Sequence, residues 1–303
     1  MTSDAATPPQ PVRRTRGPLS HIRGLLWVGH PLPGSVFTLA VGVFAVLAAI
    51  AAHHPVSAPR LLRLLIGVYC TQVAIGAVND YHDRALDTAS GRAKPIVQGL
   101  IAPWEAVALA VAATIILTLA VAPLGWLALA LTLTIEALGL AYDLRFKGTP
   151  VSALLYAVYF PLNPLLAWAV FGHWQPFLPW LLPLGAAMGI ATNISNSLPD
   201  LEADRAAGVR GLPHLLGYHW CLRIAWGAPL VMLAVVWALA LTGAVPAHWP
   251  PLLAGSLAGV FATLLVIARY RRRPTSATLR LNFTIQAVGT VALAAGWLAA
   301  VAF

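Results

Sequence analysis

Two short stretches of the sequence concentrate its carboxylates. They read NDYHDRALD, residues 79–87, and NSLPDLEAD, residues 196–204. Six of the ten acidic side chains of the chain lie in them: Asp80, Asp83, Asp87, Asp200, Glu202 and Asp204. In each stretch an asparagine and two aspartates recur at i, i+4 and i+8, a spacing that lines one face of a helix. Carboxylate and amide oxygens are hard ligands that suit Mg²⁺ rather than Zn²⁺.

Carboxylates placed four residues apart repel each other, so their charge must be neutralised. Several cations lie close in the sequence: Arg84, Arg92, Lys94, Arg205 and Arg210. Mg²⁺ in proteins takes one or two carboxylates and fills its other positions with water and substrate phosphate oxygens. Two acid clusters surrounded by basic residues therefore indicate a bound diphosphate. The alternative is that these residues are solvated charges at helix ends with no ligand.

The rest of the sequence indicates a membrane protein. Of its 303 residues 59% are hydrophobic and 10% are charged, with a mean hydropathy of +0.77, whereas a soluble domain carries roughly 25% charged residues. A membrane-spanning helix needs about 20 apolar residues. Nine runs qualify: 32–52, 60–80, 103–122, 124–142, 150–170, 177–197, 219–242, 250–269 and 281–302. Because these runs lack the alternation of membrane barrels, we expect an all-α bundle.

The basic residues predict the orientation of this bundle. The net charge of +9 is spread over many short loops, so we expect no nucleic-acid partner. With a cytoplasmic N-terminus, all 19 basic residues except Arg60 and Arg63 fall on the cytoplasmic side, as the positive-inside rule requires. Both acid stretches then lie at cytoplasmic helix ends. We expect a multi-pass protein of the cell membrane, with a flexible basic tail at 1–24 and a membrane domain at 25–303.

Five ordered segments resemble the UbiA superfamily of intramembrane prenyltransferases. The two acid stretches are similar to its first and second aspartate-rich motifs. GRAKPIVQGLI at 91–101, LGLAYDLRFKGTP at 138–150 and DRAAGVRGLPHLLG at 204–217 resemble its other loop segments. The resemblance implies a helical bundle around a central cavity, capped by cytoplasmic loops. It also implies transfer of a prenyl group from an isoprenoid diphosphate to a hydrophobic, usually aromatic, acceptor with the help of Mg²⁺.

The resemblance also implies roles for single residues. Catalytic roles fall to the aspartates of both motifs: Asp80, Asp83, Asp87, Asp200 and Asp204. Metal ligation is implied for Asn79, Asp83, Asp87, Asn196, Asp200 and Asp204. Substrate binding is implied for Asn79, Arg92, Lys94, Tyr142, Lys147, Asn196 and Arg210. Ser197 departs from the family pattern, which often has a further aspartate there, and His30 stands near the place where some members carry a basic residue for a carboxylated acceptor.

The chemistry of prenyl transfer agrees with these residues. Cations and metal ions stabilise the charge that builds on a departing diphosphate, and the allylic cation left behind must be shielded from water. Aromatic faces stabilise such a cation. Five aromatic residues in the predicted helices are candidates for this role: Tyr69, Tyr156, Tyr159, Phe160 and Trp168. A membrane lipid phase gives the long apolar tail of the donor an apolar environment.

Two other functions remain open. A terpene cyclase on the same scaffold would ionise the same diphosphate but quench the cation within its own chain, and only product analysis separates it from a transferase. A cation-coupled or proton-coupled transporter is the alternative from another class, because intramembrane acids often mark ion paths. Transporter sites usually lie near the midplane, where Glu136 is the nearest acid in this chain.

Overall fold

The computed structural model of the protein describes residues 17–206, 208, 210–270 and 274–302, and these residues form helices and no strands. Nine long helices within these residues form the bundle. They are α2 Pro31–Ala51, α3 Ala58–His82, α5 Pro103–Val121, α6 Trp126–Ala141, α7 Val151–Phe171, α8 Leu181–Ser197, α11 Tyr218–Leu241, α12 Trp249–Arg269 and α13 Ser276–Ala302. Four short helices lie at the ends of these: α1 Pro18–Val28, α4 Arg84–Ala89, α9 Leu201–Ala206 and α10 Leu212–Leu216.

The predicted membrane spans are confirmed within the described residues. Nine helices there are long and apolar enough to cross a membrane, and each overlaps one predicted apolar run. The ends differ by a few residues, most of all in α13, which begins at Ser276 instead of residue 281. Prolines occupy the first turn of α2, α3, α5 and α12, where a backbone N–H would have no intrahelical partner.

The predicted boundary at residue 24 falls inside a helix. Helix α1 begins at Pro18, so residues 18–24 are helical and do not belong to a flexible tail; residues 1–16 lie outside the described residues. The helix packs on α3 and α5. Its outer face exposes Leu19, Ile22, Leu26 and Trp27, and such a face suits the interface between headgroups and acyl chains.

Small residues allow close contact between helices. Gly185 and Gly189 of α8 face α7: a Cβ at Gly185 would lie 2.8 Å from Pro161 Cα, and one at Gly189 would overlap the carbonyl oxygen of Tyr156. In α12, a Cβ at Gly255 would lie 2.8 Å from Gly296 Cα of α13. Without a hydrophobic driving force between helices in lipid, such close approach is a main source of their attraction.

The up-and-down course of the chain brings both acid stretches to one end of the bundle. That end, called the motif end below, contains the C-terminal ends of α3 and α8, the turn that follows α6, and the N-terminal ends of α2 and α13. It also contains the four short helices. The assignment of this end to the cytoplasm, with its loops as a cap, stays a prediction, as does the central cavity.

Candidate active site

The first acid motif lies on a nearly continuous helix. Helix α3 ends at His82, but the N–H of Asp83 donates to the carbonyl of Asn79 at 2.9 Å and the N–H of Asp87 donates to the carbonyl of Asp83 at 2.8 Å. The i to i+4 ladder therefore continues from α3 into α4. Asn79, Asp83 and Asp87 follow one face, as their spacing predicts.

Asn79 and Asp83 lie in a polar cluster with two residues from the turn after α6. Asn79 Nδ2 donates to Asp143 Oδ1 at 2.8 Å and reaches Asp83 Oδ2 at 3.4 Å. Lys147 Nζ donates to Asp83 Oδ2 at 2.5 Å. Asp143 is buried and was not among the residues predicted for the site. It lies in a π-helical turn, Tyr142–Phe146, a feature that often marks functional positions.

Asp80 has a different environment from the rest of its motif. It is 1% exposed, and its Oδ1 accepts a hydrogen bond from Lys94 Nζ at 2.7 Å and lies 2.8 Å from His30 Nε2. Its Oδ2 is buried and has no partner among the described residues. Asp80 therefore faces the N-terminal end of α2, and Lys94, predicted to contact diphosphate, is paired with it.

Arg92 joins the two acid motifs. Its Nη1 donates to Asp87 Oδ1 at 3.2 Å, and its Nη2 lies 3.7 Å from Asp200 Oδ1. Asp87 is 1% exposed, whereas Asp200 and Arg92 are partly exposed. A second guanidinium, that of Arg280 in α13, donates to both oxygens of Asp200 at 2.9 and 3.2 Å. The two motifs thus meet at a pair of guanidinium groups, of which only Arg92 was predicted for the site.

The second motif is less regular than its spacing predicts. Helix α8 ends at Ser197, a 3₁₀ turn with Pro199 covers Leu198–Asp200, and α9 follows. Asn196 is exposed, and its side chain has no hydrogen-bond partner among the described residues. The tighter turn breaks the i, i+4 pattern between Asn196 and Asp200, because three residues per turn rotate later side chains away from the α-helical face.

Asp204 lies within electrostatic range of Asp200 and of Arg92 and Lys147, the two cations paired with the first motif. Burial raises the pKa of its carboxyl above the ordinary value, and the charge of Asp200 raises it further, while His214, Arg92 and Lys147 act against the rise. Both ring nitrogens of His214 are buried without a partner among the described residues. Arg210 is exposed, and its backbone N–H donates to the carbonyl of Gly148 at 3.2 Å, which holds its segment beside the loop of Lys147.

An aromatic cluster is associated with the motif end. Rings from α2, the turn after α6 and α7 contact one another at centroid distances of 5.1 to 6.5 Å: Phe37, Tyr142, Tyr156, Tyr159 and Phe160. Tyr142, predicted to bind diphosphate, meets Tyr156 edge-on at 5.1 Å and also lies within electrostatic range of Asp83. Trp168 is absent from this cluster, because it packs on Phe177 at 5.4 Å.

A groove opens on the bundle between α2 and α3. Its volume is about 720 Å³, and its walls are apolar apart from Ser35, Thr38, Tyr69 and Cys70. Tyr69, predicted as a cation-stabilising residue, lines this groove and makes no ring contact with the aromatic cluster. The volume and apolar lining of the groove suit an apolar chain from the lipid phase.

The donor atoms of the site fit Mg²⁺. Among the described residues, no three His, Cys, Asp or Glu side chains are close enough together to form a metal centre on their own. The carboxylates that could hold a metal are instead paired with cations: Asp83 with Lys147, Asp87 with Arg92, and Asp200 with Arg280. All are hard oxygen donors, and Mg²⁺ needs only one or two protein carboxylates when phosphate and water complete its shell.

The chain is similar in sequence to a known family and to several of its members. The sequence model of the UbiA prenyltransferase family matches residues 35–288. Digeranylgeranylglyceryl phosphate synthase of Natronomonas pharaonis is 30% identical over 217 residues, which cover 70% of this chain and 76% of that protein. 4-Hydroxybenzoate octaprenyltransferase of Paraburkholderia xenovorans is 32% identical over 161 residues, or 51% of this chain and 55% of that protein.

Solved structures show the same fold. A UbiA homologue from Archaeoglobus fulgidus bound to DMAPP and Mg²⁺ superposes with a TM-score of 0.71 at 18% identity, covering 91% of this chain and 98% of that chain. A homologue from Aeropyrum pernix K1 in its apo form gives 0.68 at 18% identity, covering 86% and 96%. With the family match over most of its length, the chain belongs to the UbiA prenyltransferase family.

Proposed function

We propose that the protein transfers a prenyl group from an isoprenoid diphosphate to a hydroxyl-bearing apolar acceptor, with Mg²⁺ as cofactor. The observation that carries the proposal is the position of Arg92 between Asp87 and Asp200. A phosphate group bound at Arg92 would therefore lie near a carboxylate of each motif. The Archaeoglobus fulgidus homologue was solved with DMAPP and with GPP, each together with Mg²⁺, which supports this class of donor.

The basic residues of the site would bind the diphosphate. Lys147 and Arg280 each hold a carboxylate of one motif, and Arg92 lies beside carboxylates of both. Each of these cations can exchange a carboxylate for a phosphate oxygen. The carboxylates freed by this exchange would hold Mg²⁺, with Asn79, Asp83 and Asp87 on one side and Asp200 and Asp204 on the other; Asn196 joins them only if its exposed side chain turns inward. The bound metal would supply positive charge to the leaving diphosphate.

The aromatic cluster would receive the allylic cation. Tyr156 and Phe160 lie one turn apart on α7 and stack with an interplanar angle of 23°, so their faces can lie alongside the departing carbon. The site would have to exclude water, which would otherwise capture the cation. The chain of the donor would extend away from the motif end among the membrane-spanning helices.

The relatives suggest two acceptor classes. One relative makes digeranylgeranylglyceryl phosphate, so its acceptor would be a glyceryl phosphate that already carries one geranylgeranyl group. The other prenylates 4-hydroxybenzoate. Both acceptors carry a hydroxyl group, and this shared chemistry is what we assign to the acceptor of the present protein. The aromatic acceptor expected from the sequence stays a prediction.

An assay with purified protein in detergent tests the proposal. Geranyl, farnesyl and geranylgeranyl diphosphate are incubated with Mg²⁺, each with 4-hydroxybenzoate, with geranylgeranylglyceryl phosphate, and alone. We expect a prenylated acceptor and released diphosphate, which EDTA abolishes. Asp83→Asn and Asp200→Asn should abolish turnover in folded protein. A cyclic hydrocarbon without acceptor would identify a terpene cyclase, and full activity in both variants would remove these aspartates from the site.

We also propose that the motif end faces the cytoplasm, on the ground of its basic residues. Ser90 lies at this end and His54 at the other, and both are exposed. In intact cells, a membrane-impermeant maleimide should label His54→Cys but label Ser90→Cys only after permeabilisation. The reverse pattern would invert the orientation. The parent for these variants would lack Cys70 and Cys221, the two native cysteines.

A further inference from the structure

His30 occupies a strained position at the start of α2. Its backbone is left-handed, with φ 50° and ψ 61°, a conformation that costs a residue with a side chain of order 1 kcal/mol or more. The ring packs against α3, where a Cβ added to Gly76 would lie 3.3 Å from His30 Cγ. The fold therefore holds this imidazole in place at an energetic cost.

The buried carboxylate of Asp80 determines which ring nitrogen of His30 carries the proton. His30 Nε2 lies 2.8 Å from Asp80 Oδ1 and 3.0 Å from Lys94 Nζ. If Nε2 carries the proton, the carboxylate receives two donors, one from His30 and one from Lys94. If Nε2 instead accepts from Lys94, its lone pair faces a carboxylate oxygen at 2.8 Å. Since a buried carboxylate without enough donors is costly, we assign the proton to Nε2.

This assignment leaves Nδ1 as an accessible lone pair. The His30 side chain is 32% exposed, and Nδ1 has no hydrogen-bond partner among the described residues. A carboxylate on one ring nitrogen and a lone pair on the other is the arrangement in which histidine serves as a general base.

The ring is also well placed for prenyl transfer. His30 immediately precedes α2, and Phe37 lies seven residues further on in that helix. Phe37 contacts Tyr159 at 5.7 Å and Phe160 at 6.1 Å. His30 thus lies roughly 10 Å along the helix from the aromatic cluster. It is also within electrostatic range of Asp143, the partner of Asn79.

We infer that His30 Nδ1 accepts the proton that the acceptor loses, an inference that rests on the proposed function. The C–O bond of the donor breaks, and diphosphate leaves with the electron pair. The acceptor oxygen or ring carbon bonds to the allylic carbon, its O–H or C–H bond breaks, and the proton moves to Nδ1. Asp80 then faces an imidazolium and stabilises it. Asp80 is in this view a positioning residue for His30, distinct from the carboxylates that face the diphosphate.

Separate measurement of the two half-reactions tests the inference. His30→Asn is suitable because asparagine tolerates the left-handed backbone but is too short to replace the imidazole. With geranylgeranyl diphosphate, Mg²⁺ and whichever of the two acceptors wild-type protein uses, we expect transfer to fall about 10²- to 10⁴-fold. Ionisation, followed as scrambling of an ¹⁸O label from the bridging to the non-bridging oxygens of the α-phosphate, should stay within a few-fold of wild type. Added imidazole should restore part of the transfer.

The matched control is His53→Asn. His53 is also a left-handed histidine, with φ 55°, and is exposed at the opposite end of the bundle, so its replacement should leave transfer unchanged.

Asp80→Asn should resemble His30→Asn, and the double variant should be no worse than either single variant. Loss of ionisation in Asp80→Asn would show that Asp80 serves the diphosphate. Undiminished transfer in His30→Asn would exclude His30 as the base. Either result would overturn the inference. Wild-type protein without ionisation would contradict the proposed function itself.

Discussion

Arg280 and Asp200 form a two-point contact in which one guanidinium nitrogen reaches both carboxylate oxygens, at 2.9 and 3.2 Å. The contact ties the last membrane-spanning helix to the second acid motif. It also holds Asp200 in the position where Arg92 approaches it from the first motif, at 3.7 Å. Arg280 therefore connects the packing of α13 with the geometry of the site.

Replacement of Arg280 by glutamine should impair the enzyme without unfolding it. Asp200 would lose its strongest partner, and the diphosphate would lose a cation. Because Arg280 is more than half exposed, solvent screening limits the effect, and we expect kcat/KM for the prenyl diphosphate to fall about tenfold. Arg223→Gln is the control, since Arg223 stacks over Trp220 at 4.8 Å. Equal kinetics in both variants would contradict a role for Arg280.

The contacts of Arg280 and Asp143 show which part of the site could not be read from the sequence. The membrane requires long apolar helices, so the order of helices and the meeting of both motifs at one end followed from composition and spacing. The pairing of Arg280 with Asp200 depends on how α13 packs beside α8, which no local pattern encodes. Asp143 lies in a π-helical turn. Such a turn shifts the register of the helix, and the residue types in the sequence do not indicate where it occurs. The contact of His30 with Asp80 likewise depends on how the start of α2 packs on α3, which the sequence does not indicate.

Phe160→Leu should slow ionisation of the prenyl diphosphate. Leucine keeps most of the apolar volume but removes the aromatic face that stacks on Tyr156 at 5.8 Å. A desolvated cation–π contact is worth about 2 kcal/mol, which corresponds to a rate lower by roughly 30-fold. The measurement is the rate of diphosphate release at saturating Mg²⁺.

Phe177→Leu is the control for this prediction. Phe177 is also in an aromatic cluster, with Trp168 at 5.4 Å and Trp297 at 6.0 Å, but that cluster does not include the rings near the motif end. We expect Phe177→Leu to lower thermal stability and to leave the rate per folded molecule unchanged. If both variants slowed the reaction equally, the aromatic cluster at the motif end would have no special role.

Gly189→Ala should destabilise the contact between α7 and α8. The new methyl group would overlap the backbone of α7 at Tyr156, and backbone, unlike a side-chain tip, cannot rotate away. We expect a loss of about 1–3 kcal/mol in unfolding free energy, seen as a lower melting temperature in detergent, and reduced turnover because Tyr156 is displaced.

Gly227→Ala, in contrast, should stabilise the protein. Gly227 lies inside α11, and a Cβ there would meet no atom of the described residues within 4 Å. Alanine should raise stability by about 0.5–1 kcal/mol, because it restricts the unfolded chain and favours the helix. A stabilised Gly189→Ala protein would mean that α7 and α8 are further apart than the structure has them.

Glu136→Gln should leave prenyl transfer nearly unchanged. Glu136 is buried in α6 and accepts a hydrogen bond from Thr114 Oγ1 of α5 at 2.7 Å. Glutamine offers the same oxygen acceptor and has nearly the same shape, so the contact between the two helices is retained and stability should change by less than about 1 kcal/mol. The measurements are turnover with prenyl diphosphate and acceptor, and the melting temperature.

The same variant separates the enzyme from a transporter. An intramembrane carboxylate that carries protons or cations must change its charge during the cycle, and glutamine cannot. If the protein coupled ion movement to transport through Glu136, Glu136→Gln would abolish ion-dependent uptake into proteoliposomes while leaving prenyl transfer intact. We expect no such uptake by wild-type protein. The carboxylates of the two motifs come together at the motif end, around Arg92, and not at Glu136.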